Sequence, residues 1–322
     1  MTDELRIEGL RGVDPQAVPL PHGTQVTTTV ERALGEDRRP IPAGAVGTVV
    51  EHLPGERLRV RVVGRGEHEF SRAEVRPANH GQLRFAVARA RDEASLSPCA
   101  VLEATVGSRA WGLAEEGSDH DVRGVFVLPF GWREGLAAPP QVLVSVDGSS
   151  THWEIERAVR QALRADPNTL EMLWVPQRRV LDPLGQRLLD ARQAFVSQAI
   201  YGSFGRYAMA QAKKLRQSLR LAEHRGLVLD WLRAQPQLTL DEVAERLAAG
   251  PEGAGDRPDP ARARQYLKQL YRSLYDQGLL ADNSFAGLAE LAGRAHLELE
   301  LPRELRPKNA YNLLRIVSGA VH

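Results

Sequence analysis

The feature that most constrains this chain is a pair of apolar runs joined through a glycine-serine turn and two aspartates. Ala100-Val101-Leu102-Glu103-Ala104-Thr105-Val106 is rich enough in apolar and β-branched residues to predict a strand, and it ends in Gly107-Ser108. A helical stretch is expected next. Gly117-Ser118-Asp119-His120-Asp121 then runs directly into Val122-Arg123-Gly124-Val125-Phe126-Val127, a second strand. A strand that ends in Gly-Ser and feeds a helix exposes backbone N–H groups at the helix start, which form an anion site. Glycine lets a phosphate approach the backbone closely, and the Ser108 hydroxyl adds a donor. Asp119 and Asp121 stand at i and i+2 on a strand, so their side chains share one face about 7 Å apart.

Hard oxygen ligands on one face suit Mg²⁺ (or Mn²⁺), which takes one or two protein carboxylates and fills its shell with water and phosphate. Two such ions can clamp an in-line displacement at phosphorus. A triphosphate site beside a hard-metal site is what nucleotidyl transfer requires. Arg109 and Arg123 are candidates for further phosphate contacts, or for ion pairs with Glu115, Glu116 or the aspartates. His120 points to the face opposite the two acids and is read as packing. Trp111 and Trp174 are read as core.

Around this unit the chain divides into three expected domains. Residues 1–80 hold a small all-β module. Gln25–Val30, Gly44–Val50, Leu58–Val63, Glu67–Phe70 and Ala73–Val75 are short runs separated by Gly, Pro and Asp turns. Leu58-Arg59-Val60-Arg61-Val62 alternates apolar and charged residues, the mark of a half-buried strand. Five such runs suggest an SH3-like β-barrel. Residues 81–180 form an α/β core with a mixed sheet. It has a helix over 82–94, the two strands above, a third strand across Gln141–Val146 or Thr151–Ile155, and a helix opened by Asp166-Pro167-Asn168-Thr169. Residues 181–322 read as helical, with a long helix over Phe195–Arg225. Thr239 caps the next helix, Gly250–Pro260 is a linker, and helices follow over Ala261–Leu280, Ser284–Leu299 and Pro307–Val317. The fold class is α+β.

Composition excludes little. The formal charge is +1, which argues neither for nor against nucleic acid. Lysine occurs only at Lys213, Lys214, Lys268 and Lys308, every other side-chain cation of this kind being arginine. Arginine suits bidentate phosphate contacts, although GC-rich coding gives the same bias. One cysteine, Cys99, excludes an internal disulfide and a four-cysteine zinc site. The N-terminus has no signal-peptide pattern and no apolar run is long enough to span a bilayer, so a soluble cytoplasmic protein is expected.

The spacing of Gly107-Ser108 and Asp119-His120-Asp121 resembles the signature of the DNA polymerase β superfamily of nucleotidyltransferases. The flanks Arg109-Ala110-Trp111-Gly112-Leu113, Val122-Arg123-Gly124-Val125-Phe126 and Asn168-Thr169-Leu170-Glu171-Met172-Leu173-Trp174 are similar to a branch of predicted nucleotidyltransferases associated with RNA ligases and RNA repair. Phe204-Gly205-Arg206-Tyr207-Ala208 and Pro307-Lys308-Asn309-Ala310-Tyr311-Asn312 fit its helical C-terminal half. The resemblance covers roughly residues 82–322. It departs at Asp166, where the branch has asparagine, and at Asn312, where the branch tends to have histidine. It implies that Asp119 and Asp121 hold the metal. It also implies a third carboxylate on a later strand, for which Glu154 is the first candidate and Asp147 and Glu156 the others. The implied reaction moves a nucleoside monophosphate from a nucleoside triphosphate such as ATP to a hydroxyl, with RNA as the favoured acceptor and an RNA-repair protein as a potential partner. The alternative is a degenerate transferase core that binds RNA or a partner protein.

Overall fold

The computed structural model describes residues 13–34, 40–112, 114, 120–136, 138–249 and 259–294, with the side chains of 214 and 217–222 set aside. Asp119, residues 250–258 of the expected linker and the helix expected over Pro307–Val317 lie outside the described residues.

The first five strands are β1 (Gln25–Thr28), β2 (Val46–Leu53), β3 (Arg57–Val62), β4 (Gly66–Ser71) and β5 (Val75–Pro77). The middle of the chain holds α1 (His80–Leu96), β6 (Ala100–Thr105), β7 (Val122–Phe126), α2 (Phe130–Arg133), β8 (Val142–Val144) and β9 (Ser150–Glu154). Then come α3 (Ile155–Leu163), α4 (Pro167–Trp174), β10 (Arg178–Val180) and α5 (Pro183–Asp190). The last described elements are the long α6 (Ala199–Ala234), α7 (Leu240–Ala249), α8 (Pro260–Asp276) and α9 (Phe285–Gly293). The architecture is mixed α+β. No described helix is long and apolar enough to cross a membrane.

Two compact units divide the chain. The described residues of 13–24 and 77–215 form one, and those of 25–76 and 216–294 form the other.

In the second unit the strands run in the order β4-β3-β2-β1-β5. The alternation read in β3 has a direct cause. Leu58, Val60 and Val62 are buried, while Arg59 and Arg61 point outward and pair with acids of neighbouring strands. Arg61 meets Glu67 at 2.7 Å, and Arg59 pairs with Glu51 and Glu69. Among the described residues the five strands form an open sheet and not the closed barrel expected from their spacing. Closure needs edge strands long enough to pair across the gap. Here β5 has three residues and ends in Pro77, which has no N–H to donate. Ser71 and Glu74 form a reciprocal cap on the 3-10 turn between β4 and β5, and Arg32 pairs with Glu74 at 3.1 Å. The helices of this unit pack through Val228, Leu232, Val243, Leu267, Leu274 and Leu288. Thr239 and Glu242 form the capping box that starts α7, as its sequence predicts.

The first unit is built on a second five-stranded sheet, ordered β10-β6-β7-β9-β8. It is mixed: β7 and β9 are parallel, and the other pairs are antiparallel. Both regions proposed for a third strand are strands. Apolar side chains of β6, β7 and β9 pack with α3, α4 and α5 in one core, around Leu102, Val125, Met172 and Leu173. The far face buries Phe126, Leu96 and Leu143. Asp166 caps α4 by accepting from the Thr169 N–H at 2.9 Å, with Pro167 in the first turn. Aspartate and asparagine cap equally well, so the departure at position 166 leaves this helix start intact.

Candidate active site

The described part of the site sits at one end of β6 and β7. These strands are antiparallel, so the end of β6 meets the start of β7, and the Val106 N–H donates to the Asp121 carbonyl at 2.9 Å. The chain then turns at Gly107, whose φ of +72° lies in the left-handed region. A Cβ built on Gly107 would lie 3.1 Å from Asp121 Oδ2, so the carboxylate stands against the bare face of the turn. Ser108 is half-buried and opens a 3-10 turn over Arg109–Trp111. This differs from the longer helical stretch expected there. The reason is local: Gly112 follows at φ +70° in the left-handed conformation and ends the turn after one cycle. The oriented N–H groups are therefore those of a single turn, not a full helix terminus. Ser118 and Asp119 lie outside the described residues.

Side-chain placement follows the ladders. Arg178, Ala104, Arg123 and Thr151 form one row across β10, β6, β7 and β9. Directly paired residues share a face, and Asp121 is two residues from Arg123, so Asp121 is on that face as well. Arg123 donates to Thr151 Oγ1 at 3.3 Å and to its neighbour's carbonyl, Val122 O, at 3.1 Å. Its guanidinium is thus laid toward β9. Arg109 is exposed on the turn. His120 lies 3.5 Å from Thr105 Oγ1, on the other face, where it was expected.

That other face carries the neighbouring row, Arg179, Glu103, Gly124 and His152. Glu103 accepts from Arg179 at 3.1 Å and lies 3.1 Å from His152 Nε2. His152 reaches it by lying across Gly124: a Cβ there would come within 2.1 Å of the imidazole. Glycine at 124 is what permits this bridge.

Glu154 is not brought to Asp121. The parallel register sets Glu154 beside Phe126, at the far end of β7. Phe126 stands five positions along the chain from Asp121, roughly 16 Å at ~3.3 Å per residue. The Glu154 carboxylate is buried and caps α3, accepting from the N–H of Glu156 at 2.8 Å and of Arg157 at 3.3 Å. Its strand-to-helix position, which suggested a catalytic acid, is that of an N-cap. Ser149 and Thr151 occupy the stretch of chain beside Asp121 and Arg123: the Val122 N–H donates to Ser149 O, and Thr151 pairs with Arg123. Asp147 is nearer, but its Oδ1 accepts from Ser149 N at 3.0 Å and from the hydroxyls of Ser145 and Ser149, closing the β8–β9 turn. Glu156 is exposed and pairs with Arg160. Among the described residues no three acidic, histidine or cysteine side chains assemble as a metal cage.

Three parts of the site were not foreseen. Trp111, read as core, is 44% exposed, and its indole N–H donates to Glu171 at 2.8 Å. Helix α1 supports the β8–β9 turn: Arg89 donates to the carbonyls of Val144, Ser145 and His22, and Glu93 accepts from the Val146 N–H at 3.0 Å. Burial lowers the Arg89 pKa, and burial, reinforced by Asp147, raises that of Glu93. Finally, Arg178 and Arg192 line a cleft beside β10. The residue row across the sheet could have exposed Arg178 had β10, three residues long and without alternation, been recognisable as a strand.

The segment that carries this geometry is similar to a DNA polymerase β family. More narrowly, residues 87–234 match the family model RlaP, the RNA repair pathway DNA polymerase beta family. The match begins inside α1 and ends with α6, so it contains the sheet of the first unit and none of β1–β5. No curated protein and no solved structure matches the chain.

Proposed function

We propose that the chain is a metal-dependent nucleotidyltransferase that moves a nucleoside monophosphate from a nucleoside triphosphate to a hydroxyl on RNA. The observation that carries this is the Asp121 carboxylate against the Gly107 turn, within a segment of an RNA-repair polymerase β family. The donor chemistry fits Mg²⁺ or Mn²⁺: Asp121 offers a hard oxygen at the strand end, and Asp119 precedes it by two residues. Bound there, a divalent ion would neutralise phosphoryl charge and favour the ionised form of the attacking hydroxyl.

The chain's own groups hold the substrate. The Gly107 turn brings backbone N–H groups and the Ser108 hydroxyl to the triphosphate, and Arg109 and Arg123 supply positive charge at its edges. The acceptor oxygen attacks the α-phosphorus, the bond to the bridging α–β oxygen breaks, pyrophosphate leaves and the acceptor proton passes to solvent. Positioning and charge carry most of the rate in such transfers. The first β module reads as an SH3-like docking element for RNA or a repair protein, and the cytoplasm as the compartment.

One observation favours a second reading, a binding module with a degenerate core. No acid stands where Ser149 and Thr151 flank Asp121 and Arg123. The test is transfer of label from each α-labelled nucleoside triphosphate, with Mg²⁺ or Mn²⁺, to a pool of RNA and protein. Label entering RNA with the intact chain and not with Asp119→Ala or Asp121→Ala supports the transferase. Transfer to neither, with metal-dependent nucleotide binding also absent, supports the binding module.

A further inference from the structure

A cleft of 490 Å³ opens beside β10, lined by Pro176, Arg178, Val180, Gln186, Leu189, Asp190, Arg192 and Gln193. Its volume is in the range of small-ligand sites. Two arginines line one concave space. Both are held from behind by the end of α4. Arg178 donates to the Leu173 carbonyl at 2.6 Å, and the Arg192 guanidinium lies 5.7 Å from the centre of the Trp174 ring. Among the described residues neither arginine forms an ion pair within 4.0 Å, although Asp190 lines the same cleft. Asp190 instead accepts from Gln186 Nε2 at 2.8 Å. Burial, and then the charge of Arg192, lowers the Arg178 pKa, as expected of two cations sharing a site without a counter-ion.

Paired guanidiniums with nearby amides and little competing acid are the chemistry of phosphate recognition. The cleft is also placed for it. Arg178 pairs with Ala104, three residues before Gly107, and shares the sheet face of Arg123 and Asp121. It is therefore on the order of 10 Å along the strand from the Gly107 turn, one strand to the side. That offset is too great for the phosphates held at the turn and fits the next phosphates of a chain whose end reaches it. Pro176, Val180 and Leu189 give the cleft an apolar wall alongside its charges.

We propose that the Arg178–Arg192 cleft is a phosphate-recognition subsite that takes backbone phosphates of the acceptor RNA. The identity of that ligand rests on the transferase reading above, but the binding chemistry does not. The experiment is fluorescence anisotropy of a labelled single-stranded RNA oligonucleotide, and separately of a labelled ATP analogue with Mg²⁺, on the full chain over a range of salt. The Arg178→Gln/Arg192→Gln variant is expected to lose about tenfold or more in RNA affinity. Its salt slope should shrink by roughly 1.4, ~0.7 for each phosphate that is no longer neutralised. Arg192→Gln alone leaves the Arg178–Leu173 bond in place, and should show about half that slope change with thermal unfolding unaltered. Asp190→Asn removes the competing carboxylate and should tighten RNA binding a few-fold. ATP-analogue binding should not change in any variant. A loss confined to the ATP analogue overturns the assignment to RNA and gives the two arginines to the nucleotide instead. Unchanged binding of both probes in the double variant overturns the proposal. A chain that binds RNA through these arginines yet transfers no nucleotide refutes the transferase and leaves the cleft standing.

Discussion

Gly107 lies against the carboxylate of Asp121: a Cβ there would sit 3.1 Å from Oδ2, close enough that the carboxylate would have to give by a few tenths of an ångström. The two residues are far apart in the turn-and-strand sequence, and the β6–β7 ladder brings them together. Glycine at 107 is favoured by its φ of +72°, and the acid beside it leaves a larger side chain little space.

Gly107→Ala should therefore cost stability on two grounds. The left-handed backbone alone is worth about 1–2 kcal/mol for an L-residue. The contact with Asp121 adds to it and turns the carboxylate away. Nucleotide transfer should fall well below what the loss of folded protein explains. In an Asp121→Ala background the steric part vanishes and the conformational part remains. Urea unfolding of the four proteins measures this, and an equal cost in both backgrounds would show that the two residues do not interact.

Gly124→Ala tests the opposite face. The new methyl would collide with the His152 ring and with the Leu102 carbonyl, 2.8 Å away. Overpacking of this kind costs about 1–3 kcal/mol. His152→Ala should recover part of the loss, because it removes the ring and leaves only the backbone clash. Absence of any recovery in the double variant would mean that the histidine does not fill the space over Gly124.

Much of this is legible in the sequence alone. The β3 alternation, the Thr239 and Asp166 caps and the strands on either side of Gly107-Ser108 follow from local periodicity and capping chemistry, which a sequence displays directly. The capping role of Glu154 is not visible in the sequence, for a physical reason. An acid between a strand and a helix looks alike whether it binds a metal or caps the helix, and only the parallel register of β7 and β9 separates the two. The open first sheet is of the same kind: five short runs do not reveal that β5 is too short to close them. Trp111, an apolar residue by type, is half-exposed, and its indole N–H is held by Glu171, a partner 60 residues away that local pattern does not reveal.

Two glutamates should give opposite pH dependence. Burial, then Asp147, raises Glu93 above its ordinary 4.5. The folded protein then holds this proton more tightly than the unfolded chain does. Its penalty is fully present above the raised value and is relieved as pH falls toward 4.5. Glu93→Gln keeps an acceptor for the Val146 N–H and should gain on the wild type at neutral pH, a gain that fades in acid. Glu74 is lowered, chiefly by the Ser71 N–H it accepts, with Arg32 contributing. Its stabilisation is present above 4.5 and is lost as pH falls through the depressed value, so Glu74→Gln should cost stability at neutral pH and little in acid. Unfolding curves across the acidic to neutral range would reveal both trends, and parallel curves for either variant and the wild type would count against that residue's assignment.

Glu154 offers the sharpest separation between structure and catalysis. As the cap of α3 it accepts two backbone N–H bonds. Glu154→Ala leaves those donors unsatisfied at a buried helix start, which should cost about 1 kcal/mol or somewhat more. Glu154→Gln retains an accepting oxygen and should cost less. Neither change touches the Gly107–Asp121 end of the sheet, so the folded fraction of each variant should transfer nucleotide within about twofold of the wild type, a barrier change of about 0.4 kcal/mol. Asp121→Asn, which keeps the shape and removes the charge, should abolish transfer with little effect on unfolding. The comparison is steady-state transfer at saturating metal, corrected for folded protein by circular dichroism. If Glu154→Gln falls by orders of magnitude while remaining folded, the carboxylate must reach the reacting phosphate, and β7 and β9 cannot keep the register described here during turnover.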